Sequence, residues 1–83
     1  MSTTTIELSF PIVIDGTEVR ALQMRRSKVK DQVLAAKMGG SEEEKEIRLF
    51  ANLCEIAPDN VEELDMKDYQ KIQETYKGFF DKA

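Results

Sequence analysis

The sequence predicts an α+β fold in which an N-terminal β-hairpin packs against about three α-helices. Apolar residues first alternate at period two, as in a half-buried strand, at Ile6, Leu8, Phe10, Ile12 and Ile14. The dipeptide Asp15-Gly16 then marks a hairpin turn. From about residue 28 the apolar spacing changes to three and four, which is typical of helices. We expect a single domain over 1–83, with the hairpin at about 5–25 and helices at about 28–38, 42–57 and 66–80.

The hairpin is expected to contain an irregularity. Pro11 cannot donate a hydrogen bond to a neighbouring strand, so the first strand should be an edge there or carry a bulge. The apolar residues of the second strand, about 17–25, change phase along its length. This predicts a bulge near Arg20-Ala21, or a longer loop register. The longer loop register would put Leu22 and Met24 on the buried face and leave Val19 outside.

The first helix is predicted to begin after Ser27, which can act as its N-cap. Its apolar residues form one stripe of the kind that packs on a core, namely Val29, Val33 and Ala36, with Leu34 and Met38 beside it. Gly39-Gly40 ends the helix. The same glycine pair could also act as a hinge.

The second helix is predicted to begin with a capping box, in which Ser41 and Glu44 exchange hydrogen bonds. Its inward stripe is expected to contain Ile47, Phe50, Cys54 and Ala57, widened by Leu53 and Ile56. Pro58 should end this helix, because the residue before a proline is disfavoured in the α region. A tight connector follows to Leu64, with room for one helical turn that starts at Pro58.

The last helix is predicted to begin at Asp65, a good N-cap residue. Tyr69, Ile72, Tyr76 and Phe79 then follow at spacings of three and four, so they should share one face. Phe80 lies about 100° around the helix from Phe79, so one of these two rings can be exposed. The aromatic stripe is expected to be core, and an exposed Phe80 with Tyr76 could anchor a partner helix.

Composition restricts the classes of function. The 83-residue chain has a net charge of −4, which argues against non-specific nucleic-acid binding. It has one cysteine and therefore no intramolecular disulfide, which fits a reducing cytoplasm. Neither a secretory signal nor an apolar run long enough to span a bilayer is evident, so no membrane association is expected.

The charges are distributed unevenly along the chain. Basic residues concentrate at about 20–37 and acidic residues at about 42–68. The two regions can be solvated faces that attract each other within the fold. Alternatively, they form a polar surface that steers a partner or a neighbouring copy.

No catalytic set can be assembled from the sequence. The chain has no histidine, so the commonest general base and metal ligand is missing, and neither metal nor cofactor is expected. Cys54 lies on an apolar stripe and is interpreted as a packing residue. Asp65 and Asp68 are interpreted as residues that cap the last helix and stabilise its first turn, rather than as paired catalytic carboxylates. An enzyme is therefore the least favoured class.

Several short motifs, taken in order, resemble one protein family. They are Phe10-Pro11-Ile12, Asp15-Gly16, Val19, Leu22, Arg25, Leu53-Cys54, Ala57-Pro58, Leu64-Asp65, Asp68-Tyr69 and Gly78-Phe79. Together they cover about 6–79 and resemble the tail assembly chaperone family of contractile-tailed bacteriophages and related prophages.

This resemblance implies a non-enzymatic assembly factor in the cytoplasm of the bacterial host. Such a protein binds the long, largely helical tape measure protein and keeps it soluble until the tube protein polymerises around it. It is then absent from the finished virion. Self-association and a longer product made by ribosomal frameshifting are further implications, whereas no catalytic residue is carried over.

The candidate partner-binding residues are apolar residues of the two later helices with arginines at a polar rim, and the hairpin edge is an alternative surface. They are Phe50, Leu53, Tyr76, Phe79, Phe80, Arg25 and Arg26.

The sequence is also compatible with two other functions. One is a small regulatory, antitoxin-like module whose basic segment contacts DNA, for which binding to duplex DNA should be salt-sensitive. The other is a structural subunit of the tail, which would be found in mature particles.

Overall fold

The computed structural model describes residues 3–81 and confirms an α+β fold with an antiparallel β-hairpin at its N-terminus. Within these residues the elements are β1 (Thr3–Ile14), β2 (Thr17–Arg25), α1 (Val29–Lys37), α2 (Glu42–Cys54), α3 (Pro58–Glu62) and α4 (Met66–Gly78). None of the helices within residues 3–81 is long and apolar enough to cross a membrane.

The hairpin turn forms where the sequence predicts it. Ile14 pairs with Thr17, and both turn residues have positive φ, 51° at Asp15 and 79° at Gly16. Two successive positive φ angles are characteristic of the turns that match the twist of a hairpin.

A pronounced bulge interrupts the hairpin in β1. Glu7 pairs with Ala21 and the next regular pair is Ile12 with Val19, so residues 8–11 of β1 stand opposite a single residue of β2. The predicted irregularity therefore exists, but its extra residues lie in β1 around Pro11 rather than at Arg20-Ala21.

The bulge changes which side chains the hairpin buries. Ile6, Leu8 and Ile12 are buried as predicted, but the Phe10 ring is 54% exposed, so the prediction that it shares their face is wrong. On β2, burial of Leu22 and Met24 is confirmed, whereas Val19 packs partly buried against the core instead of lying outside.

The first helix differs from its prediction at its start. Its N-cap is Lys28 rather than Ser27, and the Asp31 carboxylate accepts a hydrogen bond from the Lys28 backbone N–H at 2.8 Å. The helix ends before Gly39 and Gly40, which both have positive φ, so the predicted stop at this pair is confirmed.

The second helix forms the centre of the domain. The capping box is confirmed, because the Ser41 N–H donates to Glu44 at 2.9 Å and the Glu44 N–H donates to Ser41 at 3.1 Å. The helix ends at Cys54 rather than at 57, because Glu55 adopts a left-handed conformation with φ 59°. Pro58 begins the short helix α3, as the sequence predicts.

The fourth helix closes the core over the hairpin. The Asp65 carboxylate accepts from the Lys67 N–H at 2.9 Å, so the predicted N-cap is confirmed. Helix α4 packs on β1, whereas α2 packs on α1, α3 and β2. Ile72 is completely buried, and Tyr69, Tyr76 and Phe79 pack partly buried against the same core, which confirms their common face.

Candidate partner-binding surfaces

Aromatic rings form a continuous path from the core to the surface at the end of α4. The Phe50 ring is 1% exposed and lies 5.7 Å from the Tyr69 ring and 5.3 Å from the Tyr76 ring. The Tyr76 ring contacts Phe80 edge-on at 5.0 Å, and Phe80 is 60% exposed. The path therefore ends in a ring that a partner can reach.

Two polar side chains contact the aromatic rings near this exposed end. The Arg26 guanidinium lies 5.5 Å from the centre of the Phe79 ring, within range of a cation–π interaction. The Gln32 amide of α1 donates a hydrogen bond to the Tyr76 hydroxyl. We call the surface made by Arg26, Tyr76, Phe79 and Phe80 the aromatic end.

The structure divides the seven predicted partner-binding residues into three groups. Four of them form the aromatic end. Phe50 and Leu53 lie inside the core, because α2 is covered on several sides, and the Phe50 ring contacts Tyr76 of that surface. Arg25 is engaged with Asp31 through two hydrogen bonds, of 2.9 and 3.0 Å.

Asp31 is the centre of a buried polar network that the sequence analysis missed. Besides Arg25 and the Lys28 N–H, the Asn52 side-chain amide donates to its carboxylate at 2.8 Å. The hydrogen bonds from Arg25 outweigh the effect of burial and lower the pKa of Asp31 to about 2. The network joins the end of β2 to α1 and α2.

The apolar stripe of α1 points away from the core, which contradicts its prediction. Val29, Val33, Leu34 and Met38 are between 52% and 81% exposed, and Ala36 is exposed as well. The buried face consists instead of Asp31 and Ala35. Ala35 is small enough to let α2 approach closely, but its spacing of one turn from Asp31 does not by itself mark this face as the buried one.

A groove runs between α1 and the α2–α3 corner. Leu34 and Met38 line one side, and Ile56 and Pro58 line the other. It continues along α1 past Lys30 and Lys37. We call the surface made by these six residues the α1 groove.

Arg48 also lines the groove, and it stabilises the end of α1. Its Nη2 atom donates to the Ala35 carbonyl at 3.2 Å and also to the Gly39 carbonyl. Carbonyl groups at the end of a helix lack partners within the helix, and the negative end of the helix dipole favours a cation there. Arg48 thus caps α1 from α2, a role that spacing alone did not reveal.

Replacing Arg48 with methionine should therefore destabilise the protein. Methionine keeps much of the apolar stem but leaves the Ala35 and Gly39 carbonyls without this donor, so we expect a loss of about 1–2 kcal/mol. The measurement is urea unfolding followed by circular dichroism. The matched control is Arg20→Met, because Arg20 forms only an exposed ion pair with Glu18. Equal unfolding free energies for the two variants would contradict the capping role.

The single thiol is not placed for chemistry. Cys54 is buried, and burial raises the pKa of its thiol to about 11, so it stays protonated near neutral pH. Within residues 3–81, no group of three or more potential ligands from histidine, cysteine, aspartate and glutamate is placed to hold a metal ion.

Comparison with known proteins gives one match. A protein-family model described as "Phage tail assembly chaperone proteins, E, or 41 or 14" matches residues 5–81. Searches of curated proteins and of solved structures found no significant match. The family match covers every helix and nearly all of the hairpin.

Proposed function

Because the chain belongs to the family of phage tail assembly chaperone proteins, we propose that it binds the tape measure protein of a phage tail and keeps it soluble during tail assembly. The family match over residues 5–81 is the observation that carries this proposal. The role requires binding alone and no chemistry. It is performed in the cytoplasm of the bacterial host, and the protein is absent from the finished virion.

Exposed apolar side chains support a binding role. A long helical protein exposes apolar stripes that aggregate unless another surface covers them. The described residues offer eight exposed large apolar side chains on a domain rich in charge, namely Phe10, Val13, Val29, Val33, Leu34, Met38, Met66 and Phe80. Half of them lie on α1 or at its end, so the apolar surface is concentrated rather than scattered.

The aromatic end is the first surface proposed to contact the tape measure protein. The Phe80 ring is exposed but held by Tyr76, so little side-chain freedom is lost when a partner covers it. Arg26 adds a cation over the ring of the neighbouring Phe79. Aromatic residues and arginines that rest on a rigid support often dominate the binding energy of an interface.

Co-expression with the tape measure protein tests the function. We expect the tape measure protein to be insoluble when expressed alone, and soluble and co-purified when this chain is present. The mass of the complex in solution then gives the number of copies bound. If the two proteins do not associate and solubility is unchanged, the proposal is wrong. Recovery of the chain from purified virions would instead indicate a structural subunit.

A pair of phenylalanine variants tests the aromatic end. Phe80→Ala should weaken binding of the tape measure protein by about tenfold or more, as expected for a residue that anchors an interface. Phe10→Ala is the matched control, because its ring is exposed to a similar degree, 54% against 60%, but lies on the hairpin. If both variants bind like the unmodified protein, the aromatic end is not the contact surface.

A further inference from the structure

The α1 groove combines an apolar lining with a row of positive charge. Leu34 and Met38 stand one turn apart on its α1 side and are 52% and 69% exposed. Ile56 and Pro58 face them from the α2–α3 corner. Large side chains with this exposure and spacing are the features of a surface that receives the apolar stripe of a partner helix.

The charge of the groove is opposite to that of the chain as a whole. Across the two adjoining depressions that form it, the cationic side chains are Arg25, Lys30, Lys37 and Arg48, and the anionic one is Asp31. Asp31 is 3% exposed and already neutralised by Arg25. Lys30 and Lys37 are exposed. A chain with a net charge of −4 therefore presents a locally basic groove.

We propose that the α1 groove binds an amphipathic helix that carries a row of carboxylates beside its apolar stripe. The apolar stripe lies against Leu34, Met38 and Ile56, and the carboxylates face Lys30 and Lys37. These two lysines are seven residues apart, so they lie on the same side of α1, about 10 Å from each other along the helix axis. Carboxylates two turns apart on the partner helix match this distance.

The helices of a second copy do not fit this description. Helix α2 buries Leu49, Phe50 and Leu53, and α4 buries Ile72 within the chain's own core. Helix α3 has a single turn, and its large apolar residue, Val61, is buried. Among the large apolar residues of these three described helices, Met66 alone is highly exposed, and one residue does not make a stripe. The groove is therefore suited to a helix from another protein.

This inference rests on the proposed function only for the identity of the partner. If the chain holds the tape measure protein, then segments with carboxylates beside an apolar stripe are those that enter the α1 groove. The chemistry of the groove can be tested without that protein.

Two designed helical peptides provide the first test. They share one apolar stripe, which is flanked by glutamates in one peptide and by lysines in the other. The glutamate peptide should shift the backbone NMR signals of residues 30–38 and 56–58 and bind about tenfold more tightly than the lysine peptide, with an affinity that falls as salt is added. Absence of binding, equal affinities or shifts confined to other residues would overturn the proposal.

Matched variants separate apolar and ionic contributions. Met38→Ser and the double variant Lys30→Glu/Lys37→Glu should each weaken binding of the glutamate peptide by about tenfold. Met66→Ser and Lys67→Glu are the controls, since both residues are exposed but lie at the start of α4, and they should leave binding unchanged. Circular dichroism verifies that each variant is folded. Equal effects of the groove and control variants would refute the assignment.

The same variants, co-expressed with the tape measure protein, distinguish the two proposals. If the unmodified chain binds the tape measure protein and the groove variants do not, both proposals are supported. If all variants bind it equally, the groove assignment is overturned and the proposed function stands. A dimer of the unmodified chain that becomes monomeric in Met38→Ser would show a second copy in the groove and would overturn the inference.

Discussion

Replacing Asp68 with alanine is expected to lower the free energy of unfolding by about 3–5 kcal/mol, a large part of the total stability of a small domain. Asp68 is completely buried, and its carboxylate binds the backbone of the bulge in β1. Its carboxylate accepts hydrogen bonds from the Ser9 N–H at 2.8 Å and the Phe10 N–H at 3.0 Å. Alanine would leave these two backbone donors without partners in a partly buried position.

Lys71 increases the cost of losing the carboxylate. Its ammonium lies 3.2 Å from Asp68 and also donates to the Glu7 carbonyl and the Ser9 hydroxyl, both at 2.9 Å. Burial alone would raise the pKa of Asp68, but the Ser9 and Phe10 donors together with Lys71 outweigh burial and lower it. The carboxylate is therefore charged in the folded protein at neutral pH, and its removal leaves Lys71 without its ion-pair partner.

Two further variants make the Asp68 prediction specific. Asp68→Asn keeps one acceptor oxygen but loses the charge, so its unfolding free energy should fall between those of the unmodified protein and Asp68→Ala. Glu74→Gln is the control, because Glu74 is exposed on the same helix. The measurement is urea unfolding at pH 7. A loss below about 1 kcal/mol in Asp68→Ala would mean that other donors or water satisfy the bulge.

The elements that the sequence predicts well are those whose signals are local. The turn at Asp15 and Gly16 and the capping box of Ser41 and Glu44 depend on residues within a few positions of each other. The Asp65 cap is equally local. Such features can be derived from sequence because the interacting groups are fixed by the backbone conformation of one segment.

The orientation of α1 could not be derived in the same way. Periodicity identifies which residues share a helix face, but it does not say which face the rest of the fold covers. In α1 the buried face is defined by Ala35 and by Asp31, whose charge made it look like a surface residue. The larger apolar residues lie outside, and two of them, Leu34 and Met38, form part of the α1 groove.

The role of Asp68 depends on partners that are remote in sequence. It lies in the first turn of α4, so capping and helix-dipole effects were a sufficient explanation from sequence alone. Its contacts with Ser9 and Phe10 span 59 and 58 residues. Pro11 signalled an irregular strand, but nothing local indicated which side chain would satisfy the bulge.

Two buried carboxylates therefore connect the hairpin to the helices. Asp68 joins the middle of β1 to α4, and Asp31 joins the end of β2 to α1 and α2. A small domain has a limited apolar core, so specific polar contacts of this kind can determine how the helices are placed on the hairpin. The position of α1, and with it the α1 groove, therefore depends on the contacts of Asp31.

Asp31→Asn is expected to destabilise the protein by about 2 kcal/mol at pH 7 and to remove part of its sensitivity to acid. The carboxylate holds Arg25 through two hydrogen bonds, and this ion pair first, then the Lys28 N–H, lowers the pKa of Asp31 from 3.8 to about 2. A group whose pKa is lower in the folded state stabilises that state above its unfolded pKa, and the contribution is lost as the pH falls through the folded pKa. A shift of this size corresponds to about 2 kcal/mol.

The pH dependence distinguishes this contribution from a general loss of packing. The difference in unfolding free energy between the unmodified protein and Asp31→Asn should be nearly constant from pH 7 to about 5 and should decrease between about pH 4 and pH 2. Asp81→Asn is the control, because Asp81 is exposed near the end of the chain and should give a small difference at every pH. Urea unfolding at five pH values provides the curve. A difference that stays the same down to pH 2 would mean that the variant disturbs packing rather than the charge of Asp31, because a lost charge can matter only where the carboxylate is ionised.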